Sequence, residues 1–135
     1  MQNEYLFIYG SLKKGFSNHN RLNKGELEFV GNGITQDKYG MFKEGFENYP
    51  FVTTNVNLNR IEGEVYLIKN KEIIEKLDEF EGHPNYFKRI KIKVYLHNEN
   101  QIIKKAFDII DAYIYVNNNP KKIIRNENSL TNWKE

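Results

Sequence analysis

Cysteine is absent from the 135 residues, which excludes disulfides, thiolate nucleophiles and cysteine-held zinc. Proline occurs three times and tryptophan once. No apolar run approaches the roughly 20 residues a membrane helix needs, so no membrane partner is expected. The opening MQNEYLFIYG has no basic start and its apolar stretch stops at Gly10. It does not read as a secretory leader, and a soluble, cytoplasmic protein is expected. An excess of one charge is missing too: 20 Lys and Arg against 18 Asp and Glu leave a net charge of +2. That balance gives no reason to expect nucleic acid or an anionic surface as a partner. What the chain does have is apolar and aromatic mass, 39% hydrophobic residues with nine Tyr and nine Phe, enough for one packed domain.

Strand-like pieces recur along the chain: Tyr5–Tyr9, Leu27–Ile34, Pro50–Val56, Arg60–Ile68, Tyr86–Leu96 and about Lys104–Val116. One helical turn is expected near Asn18–Leu22, and the glycine-punctuated stretch Tyr39 to Tyr49 reads as loop with room for a short strand. The clearest helix spans about Lys71 to Phe80, with Asn70 as its N-cap, Glu72 at the positive end of its dipole and Gly82 to stop it. In the strand Tyr86–Leu96, Ile90, Ile92, Val94 and Leu96 alternate with Arg89, Lys91, Lys93 and Tyr95, so one face is buried and one is wet. Many strands with one good helix predict an α+β fold around a curled or barrel-like sheet.

A projection of the helix singles out one acid. At ~100° per residue with Leu77 at zero, Ile73 falls near −40°, Ile74 near +60° and Phe80 near −60°. Glu81 falls near +40°, inside that apolar arc, whereas Glu79 at about 200° faces water and Asp78 at about 100° sits on the border. A carboxyl aimed at the core is costly unless neutral or paired, and its raised pKa suits general acid/base work near neutral pH. The alternative is that Gly82 and Pro84 end the helix early and turn Glu81 outward.

The loop Gly10-Ser11-Leu12-Lys13-Lys14-Gly15 follows a strand with a tight turn, a form that aims backbone N–H groups at an anion. It is neither a Walker loop nor a G-x-S-x-G elbow, and a plain structural turn explains it as well. His19, His83 and His97 lack metal-ligand spacing and read as solvated or capping residues, although His19 could serve Ser11 as a base. Phe87, Arg89, Lys91, Lys93 and Tyr95 share one strand face, which is either a solvated surface or a stacking platform for single-stranded nucleic acid.

In combination these pieces resemble the gamma-glutamylcyclotransferase-like (AIG2-like) family, closest to its gamma-glutamylamine cyclotransferase branch. Tyr9-Gly10-Ser11-Leu12-Lys13-Lys14-Gly15 is similar to the family's YG[ST]LxxG loop, and Asn18, His19 and Leu22 fit the NHxxL that follows. Tyr49-Pro50-Phe51-Val52 resembles YPxV, and Ile61-Glu62-Gly63-Glu64-Val65-Tyr66 resembles VxGEVY. Leu77-Asp78-Glu79-Phe80-Glu81-Gly82, with Pro84 and Arg89, resembles LDxxEGxPxxYxR, with Phe87 standing where the family has Tyr and Tyr86 just before it. The likeness runs from about Tyr5 to Tyr115. It implies a domain over residues 1–116, a small mixed β-barrel with flanking helices, and a tail over 117–135 of unassigned role. It further implies an enzyme that cyclises a γ-glutamyl amine, such as γ-glutamyl-ε-lysine, to 5-oxoproline and free amine. Glu81 would be the acid/base, Tyr9, Gly10, Ser11 and Leu12 would bind the small-molecule γ-glutamyl substrate, and no cofactor or metal would be needed. The competing expectation is a barrel that binds a small molecule or single-stranded nucleic acid without turnover.

Overall fold

The structure, a computed structural model, describes residues 3–10, 12–16, 19, 25–43, 49–97, 107–119 and 128–134. Seven strands and one α-helix occur among them, in the order β1 (Tyr5–Ile8), β2 (Leu27–Thr35), β3 (Gly40–Lys43), β4 (Pro50–Thr53), β5 (Glu62–Ile68), α1 (Glu72–Glu81), β6 (Lys88–His97) and β7 (Phe107–Val116). Five of the strands close a barrel in the order β1-β5-β2-β6-β7, while β3 and β4 pair as a separate two-stranded sheet. All barrel pairings are antiparallel except the closing one, where β1 runs parallel to β7 with Leu6 beside Tyr113. The α+β barrel expected from the sequence is thus the observed architecture. The stretch 39–49 does contain a short strand, β3.

Alternation along the strands divides the core in two. Phe7, Val65, Ile92, Val94, Leu96, Ala112, Ile114 and Val116 form the barrel interior. Leu6, Ile8, Tyr66 and Tyr115 take the opposite side and meet Ile73 and Leu77 of α1. Ile73 and Leu77 are four apart, one above the other on a single helix face, and burying each contributes roughly 1.5–3 kcal/mol. A narrow barrel needs a place where strands approach without side chains. Gly33 and Gly63 face each other in register, and a Cβ on Gly63 would stand 2.5 Å from the Ile8 carbonyl oxygen.

The helix runs one residue further than its apolar pattern predicts. Lys71 rather than Asn70 takes the N-cap position, but the Asn70 Oδ1 still accepts the Glu72 N–H at 3.0 Å. At the other end Gly82 adopts φ 72°, and the Gly82 and His83 amides return to the carbonyls of Glu79 and Asp78. Two further bonds, Tyr86 N–H to Gly82 O at 2.8 Å and Phe87 N–H to Glu81 O at 3.2 Å, hold the following residues as a turn. For that reason β6 starts at Lys88 and not at Tyr86. Phe87 consequently does not share the basic outer face expected for it. Its ring is buried with Leu77 and Tyr115. The expected helical turn near 18–22 lies, apart from His19, outside the described residues.

Residues 128–134, assigned to the tail by sequence, lie against the barrel. The Glu62 N–H donates to Thr131 O, the Leu130 N–H donates to Met41 O, and Trp133 is buried in the same cluster as Phe7 and Tyr9. Among the described residues no helix is long and apolar enough to cross a membrane.

Candidate active site

A cavity of about 230 Å³ opens where β1 ends against the last turn of α1. Its wall comes from β1 and the loop after it (Leu6 to Gly10, and Leu12), from Tyr49 and Pro50, from Phe80 and Glu81, from Tyr86 and Phe87, and from Tyr115. Glu81 is the one charged residue among these, and no Lys, Arg or His joins it among the described residues.

Because α1 continues through residue 81, Glu81 keeps the helical direction that the projection gave it. It is partly buried, and among the described residues its carboxyl has no hydrogen-bond partner. Burial pushes its pKa from 4.5 up to about 7. The helix end acts the same way, because Glu81 lies at the negative pole of the dipole and the last turn carries no basic residue. Gly82 makes this placement feasible. Gly82→Ala would force a side chain into a left-handed backbone and put its Cβ 3.0 Å from that of Tyr86. We expect a loss of about 1–2 kcal/mol in urea unfolding, since an L-residue pays that much in the left-handed region.

One turn earlier, Asp78 holds the helix end to the barrel. Arg89 donates from Nε to Oδ1 at 2.9 Å and from a terminal nitrogen to Oδ2 at 3.2 Å, and the Tyr115 hydroxyl donates to Oδ1 at 2.7 Å. Burial pushes the Asp78 carboxyl up, but the hydrogen bonds from Arg89 and Tyr115 outweigh it and leave the pKa below its ordinary 3.8. Two carboxyls on consecutive turns are therefore driven apart: Asp78 is fixed as the anion, and Glu81 titrates near neutrality. The same Asp78 bond adds to burial in pushing the Tyr115 phenol well up. Tyr9, also pushed up by burial and then by the charge of Glu81, donates to Tyr115 O at 2.7 Å and accepts the Val52 N–H at 3.3 Å. Its hydroxyl ties β1, β4 and β7 together while its ring faces the cavity.

The loop after β1 lines the same cavity as Glu81. The Lys13 N–H closes a turn onto Gly10 O at 3.0 Å, and the Lys14 N–H bonds Glu64 Oε1 at 2.8 Å. The amides of Gly10 and Leu12 have no such partner among the described residues, and both residues line the cavity. Ser11 lies outside the described residues, so its pairing with His19 has no structural counterpart here. His19 Nδ1 bonds the Leu12 carbonyl at 2.9 Å, and His83 Nδ1 accepts the Arg89 N–H at 3.0 Å, both bracing loops. No group of three or more metal-ligating side chains assembles among the described residues.

The family description "Gamma-glutamyl cyclotransferase, AIG2-like" matches residues 6–135. The chain belongs to this family. It is an enzyme of the gamma-glutamylcyclotransferase type. A protein of Methanocaldococcus jannaschii that bears the provisional name gamma-glutamylcyclotransferase is 39% identical over 99 residues, covering 73% of this chain and 78% of its own. The human gamma-glutamylaminecyclotransferase is 33% identical over 95 residues, covering 67% of this chain and 61% of its own. A mouse AIG2-like protein of known crystal structure superposes with a TM-score of 0.69 at 22% identity, over 86% of this chain and 78% of that one, which shows the shared fold.

This AIG2-like cyclotransferase departs from the family's motif at Phe87, and the structure shows what fills the place. Phe87 lines the cavity and packs beside Tyr49 and Tyr86, with ring centroids 6.4 and 5.2 Å away. The Tyr86 hydroxyl reaches outward to bond that of Tyr49. Tyr49, Phe80 and Tyr115 belong to the cavity wall although sequence reasoning did not pick them as site residues. No local signal marks Tyr115, which the pairing of β6 with β7 sets opposite Arg89.

Proposed function

We propose that this protein is a γ-glutamylamine cyclotransferase, acting in the cytoplasm on small molecules such as γ-glutamyl-ε-lysine. One observation carries the reading: the partly buried Glu81 carboxyl, which burial pushes up to about 7, lines the same cavity as Gly10 and Leu12, and neither it nor their amides have a hydrogen-bond partner among the described residues. The α-amine of the bound γ-glutamyl group attacks its own γ-carbonyl carbon, forming the new C–N bond of a five-membered ring. Glu81 takes the proton lost by that nitrogen and delivers it to the departing nitrogen as the old C–N bond breaks. The products are 5-oxoproline and free amine, and neither water nor a protein nucleophile is consumed. Holding the glutamyl chain folded supplies much of the acceleration, because both reacting ends belong to one molecule. The amides of Gly10 and Leu12 bind the glutamyl α-carboxylate or the developing oxyanion, while Tyr9 walls the glutamyl pocket.

The lining supports an amine as the leaving group over an α-amino acid. A carboxylate next to the scissile nitrogen would be buried near Glu81 with no cation among the described residues to meet it. In γ-glutamyl-ε-lysine the lysyl carboxylate lies a full side chain away and can stay in water. A panel of γ-glutamyl-ε-lysine, a γ-glutamyl alkylamine and a γ-glutamyl α-amino acid, assayed for 5-oxoproline, tests this. The two amines are expected to surpass the α-amino acid in kcat/KM by on the order of tenfold or more. Equal or faster cyclisation of the α-amino acid overturns the substrate assignment. If no compound yields 5-oxoproline, the enzyme reading falls as well.

A further inference from the structure

Lys13 stands in the site loop, yet its side chain turns away from the cavity and into the protein, where the residue is only 6% exposed. Its Nζ donates to Asn132 Oδ1 and to the Trp133 carbonyl oxygen, each at 2.7 Å, and sits 4.7 Å from the centre of the Phe16 ring. Withdrawing an ammonium from water is costly, and these acceptors and the ring face help to offset that cost. The neighbouring Lys14 shows the cheaper arrangement, with its side chain in solvent. By donating inward to Asn132 and Trp133, Lys13 imposes a geometry on the loop that carries it.

That geometry connects both ends of the chain. The segment 128–134 is fixed to the barrel by Thr131 O on the Glu62 amide, by the Leu130 amide on Met41 O, and by Trp133 in the interior cluster that includes Tyr9. Through Nζ this anchored segment grips the residue next to Leu12, and the Lys13 amide in turn closes the turn onto Gly10. We infer that Lys13 is a positioning residue: with Asn132 and the Trp133 carbonyl it forms a clasp by which the C-terminal segment sets the amides of Gly10 and Leu12 for the γ-glutamyl end of the substrate. The inference rests on the proposed function for its kinetic arm alone.

Lys13→Met, Lys13→Arg, Asn132→Ala and the Lys13→Met/Asn132→Ala pair test it in the full chain. Lys13→Met keeps the length and apolar bulk of the side chain and removes the donors. Its KM for γ-glutamyl-ε-lysine is expected to rise on the order of tenfold with kcat changed less than about twofold, as for loss of a contact equal in ground and transition states. Lys13→Arg restores part of the loss, and Asn132→Ala shifts KM in the same direction by less. The double variant is no worse than Lys13→Met, because the two residues act as one unit. Independently of turnover, amide exchange at Lys13, Lys14 and Phe16 accelerates in Lys13→Met. Unchanged exchange there, or a lowered Tm with KM unmoved, overturns the clasp. So does simple addition of the two single effects. Should Lys13→Met not fold, Asn132→Ala decides by the same readouts. Should the unaltered enzyme cyclise no γ-glutamyl compound, the exchange arm still judges the clasp, and only the functional reading is lost.

Discussion

Glu81→Gln is expected to lower 5-oxoproline release by about 10³-fold while leaving the circular dichroism spectrum unchanged, because proton transfer by a placed side chain contributes roughly 10²–10⁴. The amide has the shape of the acid and cannot accept the proton of the attacking amine. Ring closure keeps its advantage of proximity, so residual turnover above the solution rate is expected in the variant. In the unaltered protein kcat/KM should climb as the carboxylate forms, with half its limiting value near pH 7, where burial has pushed the group. Turnover of Glu81→Gln within about tenfold of normal would place the proton transfer elsewhere.

The same substitution should make the protein harder to unfold in mild alkali. In the unfolded chain Glu81 titrates at its ordinary 4.5, and in the native state at about 7. Between those values the native state binds the proton more tightly, so stability declines as pH rises through the window and levels off above it. The full cost corresponds to roughly 3 kcal/mol, an upper figure because the carboxyl retains some contact with water. Glu81→Gln removes it, and urea unfolding at about pH 8 should show the variant more stable by up to that amount, with the difference vanishing below about pH 4.5. Asp78 works in the other direction and in a lower window. Its pKa is depressed, so its contribution is present above 3.8 and disappears as pH falls through the native value. A variant no more stable than the parent at the higher pH would mean that the Glu81 carboxylate is well hydrated. Sites that act on protons often carry this kind of cost, and here it falls on one identified group.

The helix and its acid were legible because a period of 3.6 residues converts spacing into direction. Ile73 and Leu77 point inward as the wheel requires, and Glu81 follows them. Phe80, placed by the same wheel inside the apolar arc, is 41% exposed and lines the cavity. Strand positions were legible from alternation, as in β6, while strand ends were set by contacts with no local signal, such as the turn that delays β6 to Lys88. The same limit hid Tyr115 and Trp133. Their roles depend on which strands lie together and on where a distant segment returns, and no periodicity within one stretch records that.

The parallel seam between the first and last strands has a consequence for how the protein comes into being. The cavity wall takes Leu6 to Gly10 from the start of the barrel and Tyr115 from its finish, with Glu81 supplied in between. No shorter fragment owns the hollow. Until β7 is made, the acid and the loop lack part of the wall that unites them, and pairing of β1 with β7 completes it.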